Sequence, residues 1–348
     1  MTMRVEQALA PLEPEWDDLA VRARAGPFLR PWWFRSWWQS FGTGEPRIVT
    51  VRRGGRLAAL LPLHANGGHR LHSMTNTHSC HFGTLAEDVD AADELATALF
   101  ELPVHVELDY LGGPEARAFA RLAVDRHVLL TPGQRSPFVD TRDDWEEYER
   151  GLPRSLVANI RRRRRQLEGC GEVTFEVADG GERLHELLKD GFAVEPSGWK
   201  DAQGTAILSD TSTMRFYTAL AEAASAAGIL RLSFLRLDGR AIAFEFGFED
   251  GRSYYFLKGG FDPAHARYAP GKLLVHALLE QAFRLGLTTF EFLGADEPWK
   301  LDWATQRRER MRLQAFLRSP GGRVRHAAST AYLGFARPLA KRALQWAR

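Results

Sequence analysis

Apolar and polar positions along this chain follow two periods, one of about 3.6 residues and one of 2, and their alternation divides it into elements. Residues 15–24 and 31–40 carry apolar side chains at helical spacing. The second stretch is dense in aromatics: Trp33, Trp37 and Phe41 share one face, Phe34 and Trp38 another, a pattern that reads as core rather than as a ligand platform. A hairpin follows, with Ile48–Arg53 and Leu57–Leu63 joined by Gly54 and Gly55. The first half continues with a strand at 69–74, a helix at 91–101, the alternating strand Val104–Tyr110, a helix at 114–125 and short strands at 127–130 and 137–139. Between the last two, TPGQRSP at 131–137 reads as a linker.

The second half has a clearer rhythm. A helical region at 144–168 precedes a strand at Glu172–Val177 and helices at 181–192 and 211–227, the latter with Asp210 as its N-cap. A meander then runs through Leu230–Leu237, Ala241–Phe248 and Ser253–Lys258, its two turns at Asp238–Gly239 and Asp250–Gly251. After a loop at 259–270 come an amphipathic helix at 271–285, a strand at Thr288–Leu293, a short helix at 297–303 and a strand at Met311–Arg318. The order is β-α-α-β-β-β-α-β-α-β, and a weaker version of it runs through the first half. The expectation is an α+β fold of two domains, 1–140 and 141–325, each with a mixed α/β sheet, followed by a basic helix at 326–348.

A length of 348 residues suits two domains, and a net charge of +2 argues against binding a polyanion through charge alone. Two distant cysteines, Cys80 and Cys170, suit a reducing compartment. The N-terminus shows no apolar signal segment, and no apolar run approaches the roughly 18 residues of a membrane helix, so a cytoplasmic protein is expected.

The most informative segment is FLKGGFDPAHARYAPGKLLVHALLEQAF, where a strand ends near Lys258 and a helix begins at Pro270. Proline suits a first helical position, and Gly271 lets an anion approach the backbone. The free N–H groups and the dipole of the first turn then favour a phosphate, with Lys272 and Arg267 adding charge. Pro-Gly-Lys alone is a weak motif; the strand and meander before it and the strand after it make the case.

With these pieces in place, the chain resembles the FemAB-related branch of the GNAT superfamily, in particular acetyltransferases of the CelD/BcsL type. The resemblance rests on Arg154, Asn159–Ile160–Arg161 and Leu167–Glu168–Gly169, on Glu195–Lys200, on Ala243–Phe244 and Gly247, on Phe261–Asp262–Pro263 with Tyr268–Gly271, and on Phe292–Lys300. Looser matches, such as Leu60–Leu63, extend it into the first half; Ala269 and Trp299 depart from the Ser and Tyr expected there. It implies tandem GNAT folds of which the first is degenerate, acetyl-CoA or another acyl-CoA as co-substrate, no metal, and an amine or hydroxyl of a small molecule or saccharide as acceptor. The pantetheine arm would lie along strand 253–258, with Leu257 and Lys258 at its end, and the pyrophosphate among Arg267, Tyr268, Pro270, Gly271 and Lys272.

Acyl transfer needs a proton acceptor and stabilisation of the oxyanion and the leaving thiolate. Glu245, whose face neighbours Ala243 and Gly247 leave room, is the first candidate for the base; Glu195 and Asp296, the latter followed by Glu297, are others, and Lys300 is a candidate for charge stabilisation. His78–Ser79–Cys80–His81 lacks a second half-site of metal-ligand spacing. Arg161–Arg165 keeps a FemAB-like aminoacyl-tRNA donor as an alternative, and a catalytically silent binding module of the same fold is a third reading. The stretch 323–348 suits a packing helix or a peripheral membrane contact.

Overall fold

In the computed structural model, which describes residues 2–67, 69–123, 127–194, 207 and 210–332, the chain forms two compact units. The first holds Met1–Trp38, Gly42–Gln134 and Glu309–Arg348; the second holds Gln39–Phe41 and Arg135–Arg308.

The first unit runs β1 (Thr2–Glu6), α1 (Glu13–Arg22), α2 (Pro31–Phe41), β2 (Glu45–Arg53), β3 (Arg56–Ala65), β4 (Arg70–Ser73), β5 (Leu85–Ala86), α3 (Val89–Glu101), β6 (His105–Leu111), α4 (Gly113–Leu122) and the start of β7 (Val128–Asp140). β1 to β4 form an antiparallel meander, and β6 joins β4 in parallel. The aromatics of α2 are core: Trp33, Phe34 and Trp37 are buried, with Trp16 of α1 tilted against Phe34 at 5.4 Å between ring centroids.

The second unit continues with α5 (Trp145–Gly151), α6 (Arg154–Glu168), β8 (Val173–Ala178), α7 (Leu184–Val194), α8 (Thr211–Ala226), β9 (Leu230–Leu237), β10 (Arg240–Glu249), β11 (Ser253–Phe261), α9 (Pro270–Arg284), β12 (Thr289–Glu291), α10 (Pro298–Leu301) and the start of β13 (Gln306–Ala315). Asp210 caps α8 as expected, accepting from Thr213 N–H at 2.7 Å. β8 to β11 form an antiparallel meander and β12 joins β11 in parallel, the same pairing sequence as in the first unit. One face of this sheet buries Tyr254, Phe290 and Phe292 under Leu274, Leu278 and Ala282 of α9. On the other, α7 lies on β10 so closely that a Cβ at Gly191 would fall 2.3 Å from the Phe244 ring.

The structure departs from the pattern expected of the sequence in several places. The 131–137 stretch is no linker but the middle of β7; proline lacks only a donor, and the carbonyls of Pro137 and Phe138 accept from Phe292 and Thr305 N–H. The 144–168 region is two helices, parted at Pro153, which holds Leu152 extended at ψ 156°. The five-residue β1 was too short for its period to register. Last, the final strand expected in the second domain pairs with β6 in the first unit, Leu313 opposite Leu108. In return, the end of β7 pairs with β12 in the second unit, Val139 opposite Phe290. The boundaries at 140 and 325 therefore move to 134/135 and 308/309. The last helix described, α11 (Pro320–Ala331), starts before the expected 326, and residues 333–348 lie outside the described residues. Among the described residues no helix is long and apolar enough to cross a membrane.

Candidate active site

β11 runs beside β10 to its end, pairing as far as Phe261 with Ala243, but its parallel pairing with β12 covers only Ser253–Tyr255. Beyond Tyr255 the two strands part, and a cleft of about 570 Å³ opens along β11 from Phe256 to Phe261. Its other walls are Ala269, Gly271, Lys272 and Leu274 around the start of α9, and Phe292, Glu297, Trp299 and Lys300 beyond β12. Gly259 and Gly260 make the middle of the β11 wall bare backbone.

The register between β10 and β11 slips once. Phe246 faces Lys258 and Gly247 faces Phe256, so Leu257 is an extra residue, a bulge. Opposite it, Glu245 lies between Ser233 on β9 and Gly259 on β11. Glu245 is fully buried and is not among the residues lining the cleft. Tyr254 Oη donates to its Oε2, and Ser233 Oγ is 3.2 Å from Tyr254 Oη. Burial pushes the Glu245 carboxyl well above its usual range, and the Tyr254 and Ser233 hydroxyls and the Leu257 N–H only partly offset this. The expected base is therefore enclosed by the strands and does not line the cleft.

At the other end of the wall, α9 starts from Ala269 in the left-handed region (φ 50°, ψ 52°), and Pro270 takes the first helical position. Gly271 faces open space: a Cβ there would meet only the Phe261 ring, at 3.4 Å. Lys272 reaches Asp302 at 2.9 Å, both half-exposed. Arg267 is exposed and lies over the Tyr268 ring, 4.6 Å from its centroid, while Tyr268 is buried with its hydroxyl 3.0 Å from Cys170 Sγ. Of the expected phosphate residues, Gly271 and Lys272 line the cleft; Arg267, Tyr268 and Pro270 stand behind it.

Lys300 is buried but for 9% of its side chain, with Nζ donating to the carbonyls of Leu293 (3.0 Å) and Ala295 (3.2 Å) and pairing with Glu297 at 3.2 Å. Leu293 and Gly294 adopt positive φ, which turns those carbonyls toward the ammonium. Glu297 also accepts from Trp299 Nε1 at 2.9 Å. Asp296 turns away from the cleft to Arg135 at 3.0 Å, and Glu195 lies outside the described residues. The sequence reading missed the rings of Phe256, Phe292 and Trp299; only the parting of β11 and β12 turns them from core residues into a wall.

The parted parallel strands, the bulge and the helix start belong to one segment with known relatives. Residues 154–301 match the family model described as "Acetyltransferase (GNAT) domain". This stretch of the second unit is similar to a GNAT domain. Its matched stretch includes every residue lining the cleft. No curated protein matches the chain. Among solved structures, it resembles a protein of unknown function from Bacteroides thetaiotaomicron at 10% identity, covering 90% of this chain and 100% of that one with a TM-score of 0.59. FemX resembles it at 10% identity and TM-score 0.58, over 94% of this chain and all of FemX. The C-terminal domain of a putative lysylphosphatidylglycerol synthetase from Agrobacterium fabrum does so at 11% identity and TM-score 0.57, over 93% of this chain and 97% of that one. At such identities the likeness is one of fold, and all three span both units.

Proposed function

We propose that the GNAT domain is an acyl-CoA-dependent acyltransferase of the CelD/BcsL type, moving an acyl group to an amine or hydroxyl of a small molecule or saccharide. The observation that carries the reading is the shared cleft: a strand edge left by β12 and the first turn of α9 border the same opening. An amide-bearing arm finds backbone groups along β11, and a pyrophosphate finds the Gly271 N–H and the helix dipole. Lys272, half-exposed, leaves Asp302 for the phosphate at little cost, since surface ion pairs contribute about 0–1 kcal/mol.

Among the described residues, Glu297 is the one of the considered carboxylates on the cleft wall, so we assign it the proton of the incoming acceptor. Lys300 beside it stabilises the oxyanion or the departing thiolate. Glu245 holds the bulged strand in shape. A second reading, an aminoacyl-tRNA donor, rests on the exposed arginines of α6, although Arg161 and Arg164 are held by Glu149 and Glu168.

Calorimetric titration tests the reading. CoA is expected to bind, and uncharged or aminoacylated tRNA is not. Gly271→Val is expected to abolish CoA binding while the protein stays folded, because the new Cβ meets only Phe261. Undiminished affinity in that variant would place the phosphates elsewhere. Thiol release from acyl-CoA across a panel of amines separates an enzyme from a silent module. With an acceptor found, Glu297→Gln is expected to lower turnover about 10²–10⁴-fold with CoA affinity nearly unchanged.

A further inference from the structure

The two ends of the cleft differ in chemistry. Near α9 the wall combines Ala266, Ala269, Gly271 and the bare backbone of Gly259 and Gly260 with Phe261, Lys272, Leu274 and Val275. Where β11 and β12 part, the wall is aromatic. Phe256 lies 6.2 Å from Phe292 and 5.8 Å from Trp299, and Phe292 and Trp299 meet edge to face at 5.8 Å and 89°. Phe256 and Phe292 are buried and line the cleft, while Trp299 is half-exposed.

At this end Lys300 and Glu297 are already engaged. Lys300 Nζ has two carbonyls and Glu297 around it, and Glu297 holds the Trp299 N–H. Glu245 is fully buried and does not line the cleft. An acyl group carrying its own charge or hydroxyls would have to break these pairs to find partners. An aliphatic chain would not, and it would cover apolar surface that a two-carbon acetyl group leaves wet.

We propose that the acyl group taken by this site is an aliphatic chain longer than acetyl, seated against Phe256, Phe292 and Trp299. The proposal rests on the donor reading above, which puts the phosphates at Gly271 and runs the arm along β11 from Phe261 toward Phe256. The thioester then arrives at Leu257, and the chain beyond it meets the three rings. Trp299, the most exposed of the three, sets how much of the chain is covered.

The experiment is a calorimetric series with free CoA, acetyl-CoA, butyryl-CoA, hexanoyl-CoA, octanoyl-CoA and succinyl-CoA on the full chain. Affinity is expected to rise from acetyl to hexanoyl by about fourfold per added methylene, which corresponds to about 0.8 kcal/mol each. Trp299→Ala is expected to flatten that slope, lowering the ratio of hexanoyl-CoA to acetyl-CoA affinity. A flat or falling series with tight acetyl-CoA binding, or succinyl-CoA binding more tightly than butyryl-CoA, would overturn the proposal and leave the donor reading standing. Failure of every CoA species to bind would overturn both. The wild-type series decides the question even if Trp299→Ala does not fold.

Discussion

Glu245 shows how a single side chain can be conspicuous in the sequence and still be displaced from its expected role. Its alternating neighbours Phe244 and Phe246 betray a strand, and the small residues Ala243 and Gly247 mark the face it shares, all of which the sequence displays. The extra residue at Leu257 and the Tyr254 hydroxyl that holds the carboxyl both lie on another strand, and neither shows in any local pattern. Burial leaves Glu245 favouring its protonated form, with the folded pKa above the ordinary value of 4.5. A group whose pKa rises on folding stabilises the fold fully below its unfolded pKa, and that contribution is lost as pH climbs toward the folded value. Replacing it with glutamine, which stays neutral throughout, removes the loss. As pH rises above 4.5, unfolding free energies from urea titrations should therefore fall more steeply for the wild type than for Glu245→Gln, by up to about 1.4 kcal/mol per pH unit. Parallel curves would mean that Glu245 is not protonated in the fold.

Among the elements, α9 was the most legible, because Pro270 and Gly271 announce its start and its apolar stripe gives its length. The backbone at Ala269 was not legible: an L-residue in the left-handed region is a tertiary imposition, set by the 3₁₀ turn Pro263–Tyr268 that feeds the helix. Glycine takes that conformation without the clash. Ala269→Gly is accordingly expected to raise stability by about 0.5–1 kcal/mol, the relief of strain less the added freedom of the unfolded chain. Thermal denaturation checks it, and a lowered midpoint would mean that the alanine methyl packs more than it strains. The cleft itself lay beyond sequence reading for a related reason. Strands β11 and β12 are each apparent from their apolar residues, but the point at which they part is a property of the pair.

For the whole chain, the repeated order of elements was visible, and the two units share one pairing sequence as that order implied. Which unit owns the closing strand was not visible, since β7 and β13 follow the domains they were expected to complete. Each instead completes the sheet of the other unit, β13 on β6 and the end of β7 on β12. A fragment cut at the apparent boundary, residues 1–140, would leave β6 with an open edge. Such a fragment is expected to be insoluble or unfolded by circular dichroism; a soluble, cooperatively melting fragment would show that β13 is dispensable.

The exchanged strand also has a consequence for the life of the chain on the ribosome. About 195 residues separate the end of β6 from the start of β13. At about 5–20 residues per second, that is roughly 10–40 s during which the first unit exists without its last strand. N-terminal domains ordinarily finish folding while the rest is still being made, but here the first unit must wait until β13 has been synthesised. Nascent chains of this protein should lean on chaperones that shield strand edges, and premature termination anywhere before codon 306 should yield products destined for proteolysis rather than a working half.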